Sequence, residues 1–242
     1  MLKPYVHPCS LNNIALTQLQ YDYYVSYASH KQMVYTLTFN PFSENTYIVT
    51  DDTKDCIIFD PGCYDPEEKA ELKAFIADNG LRPVRLINTH CHLDHVFGNK
   101  FVADTWNLSL EIHRGELGVL ENYPSVCQKY GVPNFDRSPM PNRFIEADDT
   151  IEFGHSALKV LFTPGHSPAS LSFYNEKENY VIAGDVLFLE SIGRTDLPGG
   201  NHATLLESIQ TQMFTLPGET IVYPGHGDPT TIRHEKEYNP FF

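Results

Sequence analysis

The chain has 242 residues, of which 41% are apolar and 20% charged, and its net charge is −14 from 17 basic and 31 acidic side chains. This is the composition of a folded globular protein with one substantial core, not of a disordered chain. The acidic balance argues against a nucleic-acid backbone as main partner, because phosphate binding needs a basic face.

Residues 1–32 are rich in tyrosine (Tyr5, Tyr21, Tyr23, Tyr24, Tyr27) and show no clear period. A second methionine, Met33, precedes the first strand-like run, so 1–32 is read as an appendage from an upstream start and 33–242 as the single folded domain. The opening residues lack the basic stretch and long apolar run of a secretory signal. VYTLTF and NTYIVT alternate as a hairpin should. CIIFDPG is a compact apolar run ending in a turn. A helix follows over 65–80, with Asp65 as N-cap, Pro66 in the first turn, Glu68 completing a capping box and Gly80 as the stop. VRLIN is the next strand and runs into THCHLDH. The proline-bearing stretch 113–145 is expected to be short helix plus loop. Strands resume at DTIEF, LKVLFT, LSFY and YVIAGD. NHATLLESIQTQM is a helix capped by Asn201, TIVYP is a last strand, and the tail from Thr230 is a short helix. No apolar run approaches the ~18–20 residues that span a bilayer, so no membrane partner is expected. The five cysteines (Cys9, Cys56, Cys63, Cys91, Cys127) include no C-x-x-C pair. That usage suits a reducing, cytoplasmic setting better than a disulfide framework.

Four of these apolar runs end in side chains that bind metals. RLINTHCHLDH supplies His90, His92, Asp94 and His95; LKVLFTPGH supplies His166; YVIAGD supplies Asp185; TIVYPGH supplies His226. Strand ends hold such residues rigidly while loops expose them. One open tetrahedral ion needs three protein ligands, so seven donors suit two ions better than one. Taken singly, His166 and His226 read as turn residues and Asp185 as a helix cap; their coincidence at strand ends is what counts. His113, His155, His202 and His234 lack partner spacing, and Cys91, between two donors of an extended segment, should point away from them.

HCHLDH, TPGHS, AGD and PGH, in that order from about Met33 onward, resemble the metallo-β-lactamase superfamily. The resemblance implies an α/β fold, an αβ/βα four-layer sandwich of two mixed sheets flanked by helices, with metals at one edge. It implies two divalent ions, zinc foremost, with iron or manganese fitting the same donors. His90, His92 and His166 would hold the first ion; Asp94, His95 and His226 the second; Asp185 would bridge. Asp94 and Asp185 are the expected catalytic carboxylates. Asp60, in CIIFDPG, would orient a ligand or loop from behind. NPFSENTYIV, SIGRTDLPGGN and GHGDPTTIRHEKEYNPF resemble the small glyoxalase II-like branch, in which S-(2-hydroxyacyl)glutathione thioesters are hydrolysed.

The expected chemistry is water deprotonated between two cations near neutral pH, attacking a thioester whose thiolate leaves readily. Only residues 227–242 follow the last donor, so the helical glutathione-holding domain of full-length glyoxalase II is not expected, and glutathione is one carrier among several. Arg194, in GRTD, is a candidate for a substrate carboxylate, or else a brace for Asp196. Cys is absent from the Asp185 position, which disfavours β-lactam hydrolysis of the common dizinc type. The alternatives are a mononuclear-iron persulfide dioxygenase using His90, His166 and Asp185, and a lactone or ester hydrolase of the same superfamily.

Overall fold

A computed structural model describes residues 33–242; the expected appendage, 1–32, lies outside the described residues. The first half of the chain builds one six-stranded sheet in the order β1-β2-β3-β4-β5-β6. Its strands are β1 (Met33–Phe39), β2 (Glu44–Thr50), β3 (Asp55–Phe59), β4 (Arg82–Ile87), β5 (Leu110–Ile112) and β6 (Arg143–Phe144). The β1-β2-β3 meander is antiparallel, and β3 through β6 run parallel. The parallel crossovers carry helices α1 (Pro66–Asp78), α2 (Leu93–Val96), α3 (Asn99–Trp106) and α4 (Leu117–Lys129).

The second half builds the other six-stranded sheet, which includes β7 (Thr150–Phe153), β8 (Ser156–Phe162), β9 (Leu171–Asn175) and β10 (Tyr180–Gly184). A small hairpin, β11 (Leu187–Phe188) with β12 (Ser191–Ile192), and helix α5 (His202–Ser208) then lead to β13 (Ile221–Pro224), β14 (Thr230–Thr231) and α6 (Ile232–Tyr238). The sheet runs β14-β13-β10-β9-β8-β7, with β10 and β13 parallel and the other neighbours antiparallel.

Strand pleating assigns each side chain a layer. In β3, Ile57 and Phe59 join the core between the sheets, while Cys56 and Ile58 face the helices of the first half. In β10, Tyr180 and Ile182 face the other sheet, while Val181 and Ala183 face the α5 side with Leu205, Ile209 and Ile232. Both faces are therefore covered, which is why CIIF and YVIAG read as continuous apolar runs. The result is the expected four-layer αβ/βα sandwich. Truncating a central residue such as Ile57 to alanine is expected to cost about 2–5 kcal/mol.

Local expectations fared unevenly. Asp65 caps α1 by accepting from Glu68 N at 2.8 Å, and Gly80 takes a φ of +62° beyond its end. Glu68 does not close a capping box. Its carboxylate accepts from Asn40 N at 2.6 Å and Tyr64 N at 2.7 Å, tying the helix to the β1–β2 turn. The 113–145 stretch is more helical than expected, because α4 runs for 13 residues with Pro124 inside it. An interior proline costs a helix about 3 kcal/mol. Here Leu120, Tyr123 and Cys127 bury one stripe of α4 in the core and hold the helix through it. The helix expected over 201–213 is α-helical through Ser208 and widens to a π-helical turn over Ile209–Met213.

Candidate metal centre

The ends of β4, β8, β10 and β13 meet at one edge of the sandwich. The loop after β4 becomes the single turn of α2, which buries Asp94 and His95. Asn88 Nδ2 donates to the His95 carbonyl at 2.8 Å, and Asn40 Nδ2 donates to the Asp94 carbonyl at 3.1 Å, so the loop is fastened at both donors. His166 follows β8, Asp185 follows β10 and His226 follows β13.

The seven side chains form two groups. The donor atoms of His90, His92 and His166 lie within 4.8 Å of one another, as do those of Asp94, His95 and His226. Asp185 stands between the groups. Its Oδ2 is 3.4 Å from His166 Nε2 and 3.6 Å from His226 Nε2, and its Oδ1 is 3.5 Å from His95 Nε2. Gly225 makes this approach possible, since a β-carbon there would fall on Asp185 Oδ1.

Partners behind the imidazoles set their orientation. His166 Nδ1 bonds the Arg194 carbonyl at 2.7 Å, and His226 Nδ1 bonds the Phe42 carbonyl at 3.0 Å, so each presents Nε2 to the centre. Such outer partners fix tautomer and ring angle in metal sites. Asp60 accepts from Thr89 N at 2.7 Å and Thr89 Oγ1 at 2.6 Å, and its Oδ2 lies 3.2 Å from His95 Nδ1. It sits behind the donors, braced to the loop that carries them. Asp60 itself has a φ of 45°, a left-handed backbone that aims its carboxylate back under that loop.

The electrostatics suit cations. Burial, then the neighbouring His95, holds His90 well below the usual imidazole range; burial and His166 push His92 down to about 3. Neutral imidazoles are the form that binds metal. Burial opposes ionisation of Asp185, but His95 and His166 outweigh it and hold its carboxyl well below the usual range. Burial likewise opposes charge on His95, and Asp94 and Asp185 overcome it, raising His95 well above an ordinary imidazole. His90 Nε2, His95 Nε2 and Asp185 Oδ1 are buried and have no hydrogen-bond partner among the described residues. A buried polar atom left unpaired costs about 1–3 kcal/mol, so three at one spot mark a place built for another ligand. The imidazole and carboxylate set fits two divalent ions.

Two buried glutamates belong to this region, and neither stood out in the sequence. Glu116 accepts from Cys91 N at 2.9 Å, Ala169 N at 2.8 Å and Ser167 Oγ at 2.8 Å, joining the start of α4 to both histidine loops. Glu44 is fully buried, with Oε1 3.9 Å from His95 Nδ1. Both lie in ordinary-looking surroundings, HRGELG and FSENTY, and no spacing marks them. Cys91 turns into the core under α4, away from the donors. The histidines set aside take other partners: His113 accepts from Gly115 N, His155 meets Asp52, and His234 meets Glu190. Arg194 lines the cavity at the centre, yet its fork is engaged by Asp196 at 2.7 and 2.8 Å, as a turn brace would be.

A cavity of about 850 Å³ opens directly onto this centre; Asp94, His166, Asp185 and His226 form its floor and Phe42, Val119, Val126 and Phe188 part of its wall. Among the described residues, no helix is long and apolar enough to cross a membrane.

Relatives share this arrangement of chain. A probable metallo-hydrolase of Bacillus subtilis, YqgX, is 38% identical over 202 residues, covering 83% of this chain and 93% of its own. The hydroxyacylglutathione hydrolase GloC of Haemophilus influenzae is 34% identical over 206 residues, covering 83% and 93%. Among solved structures, BLEG-1 B3 metallo-beta-lactamase matches with a TM-score of 0.80 at 36% identity, covering 86% of this chain and 99% of that one. TTHA1623 in a di-iron-bound form matches with a TM-score of 0.78 at 34% identity, covering 86% and 100%. The family model of the metallo-beta-lactamase superfamily matches residues 39–226, and the chain belongs to that superfamily of metallo-hydrolases.

Proposed function

We propose that this chain is a metal-dependent hydrolase of thioesters, S-(2-hydroxyacyl)glutathione among them. The observation that carries the reading is the pair of three-residue donor groups joined by Asp185 at the floor of an open cavity. Similarity to GloC supports the thioester bond as the target. His90, His92 and His166 would hold one ion, Asp94, His95 and His226 the other, and Asp185 both. Zinc suits an imidazole-rich set, and iron is compatible, as the di-iron form of TTHA1623 illustrates for that protein.

When bound, such ions lower the pKa of water toward about 7 and polarise a carbonyl oxygen. The chain does the rest. Asp94 Oδ2, 3.2 Å from His226 Nε2, reaches the cavity floor and offers an acceptor that orients an attacking water. The apolar part of the wall, with Phe42, Val119, Val126 and Phe188, offers a surface for the substrate's apolar atoms beside the reacting carbonyl. A thiol of pKa about 8.5 leaves without a strong general acid, so no further acid is required. A reducing, cytoplasmic setting belongs to the same reading, supported by four buried, unbridged cysteines among the described residues.

The test is hydrolysis of a thioester panel by metal-replete and chelator-stripped protein, with metal analysis of both. Thioester turnover that disappears on stripping and returns with added zinc or iron is the expected result. Oxygen consumption on a persulfide with one iron per chain would overturn the reading.

A further inference from the structure

Helix α4 presents two unlike faces. Leu120 and Cys127 are buried in the core, Gly118, Val119, Asn122 and Val126 line the cavity beside the metal centre, and the buried Tyr123 borders both. Glu116, just before the helix, is bonded to both histidine loops, so the cavity face of α4 is held in fixed register with the donors. That face has a gap in it. A β-carbon on Gly118 would meet no described atom outside its own stretch of helix within 4 Å.

The neighbouring glycine shows the contrast. At Gly115 a β-carbon would come 2.6 Å from Ala169 Cβ, so that glycine serves close packing. Gly118 serves no packing contact among the described residues, and its φ is not in the left-handed region that favours glycine. Glycine weakens a helix relative to alanine, so local stability alone favours a side chain here. What the missing side chain provides is room: its space belongs to a cavity of about 850 Å³, at the upper end of small-molecule sites and with a mainly apolar wall.

We propose that Gly118 is a specificity-determining position that keeps the cavity open along α4 for an extended apolar group of the substrate, larger than a short hydroxyacyl chain. The proposal rests on the thioester reading only for the identity of the reacting bond. Thioesters carrying an aromatic or medium-length alkyl group are then better substrates than small acyl thioesters of the same thiol.

The experiment compares the metal-loaded full chain with Gly118→Leu and Gly118→Phe, the smaller change serving if the larger one fails to fold. The first readout needs no catalysis: fluorescence titration with anilinonaphthalene sulfonate, a bulky aromatic probe that carries one sulfonate. The second is the ratio of kcat/KM for a phenylacetyl and an acetyl thioester of one thiol. Filling the gap is expected to weaken the probe and lower the ratio at least about tenfold, the scale on which apolar pockets discriminate. Thermal midpoint and metal content should be held or, for the midpoint, raised. Unchanged probe affinity, or an equal fall for both thioesters, would overturn the proposal. If the probe weakens but the unsubstituted protein cleaves no thioester, the cavity assignment stands and the thioesterase reading falls.

Discussion

The floor and the wall of the cavity are built on opposite plans. On the floor, the donor side chains come from strand ends, and the histidines and their loop are held from behind: His166 by the Arg194 carbonyl, His226 by the Phe42 carbonyl, the His90–His95 loop by Asp60, Asn88 and Asn40. On the wall, α4 is held by apolar packing on its far side and leaves open space on its near side. The floor is over-determined by directional polar contacts, which is what a chemical centre needs. The wall is set by volume, which is what a choice of substrate needs. Substitutions on the floor should therefore change rate and metal content together, and substitutions on the wall should change selectivity.

The largest effect is expected at Asp185, which stands between the two donor groups. Asp185→Asn should lose more than the ~10–100-fold typical of outer partners, and elemental analysis should show metal falling below the level of the unsubstituted protein. Asp60→Ala comes next. It strips Thr89 N and Oγ1 of their acceptor, and metal affinity or activity should fall about 10–100-fold, read by metal titration. Glu116→Gln tests the joint between floor and wall. Its amide cannot accept from every group the carboxylate serves, so a stability loss of about 1–3 kcal/mol is expected, read by chemical denaturation. Arg194→Ala should do least among these. Its pair with Asp196 is exposed and screened by solvent, so little stability rests on it. A rise in KM with kcat held would assign Arg194 to substrate, and a small stability loss with unchanged kinetics would assign it to the turn. Deleting residues 1–32 should leave thermal stability and turnover as they were, and a collapse of either would end the reading of that segment as an appendage.

The same contrast governs how much the sequence discloses. HCHLDH, TPGH, AGD and PGH are readable because each donor follows a short apolar strand, so a local pattern predicts a local position. The individual strands were legible as short apolar runs, whereas the four-layer sandwich came from the resemblance of the ordered motifs to the metallo-β-lactamase superfamily. Helix α4 was not. Pro124 argues against a helix locally, and the contacts that override it, through Leu120, Tyr123 and Cys127, join residues distant in sequence. Glu116 and Glu44 were hidden likewise, since burial and long-range partners, not neighbours in the chain, give them their roles. Gly118 is legible only as an empty volume, which no one-dimensional pattern records.

On the proposed reading, the floor would hold two ions that act on one hydrolytic reaction. The most direct measurement is the number of metal equivalents that restore thioester hydrolysis to chelator-stripped protein, with bound metal counted at each step. Full turnover is expected to need two equivalents per chain. Full activity at one equivalent, with no second ion bound, would contradict it.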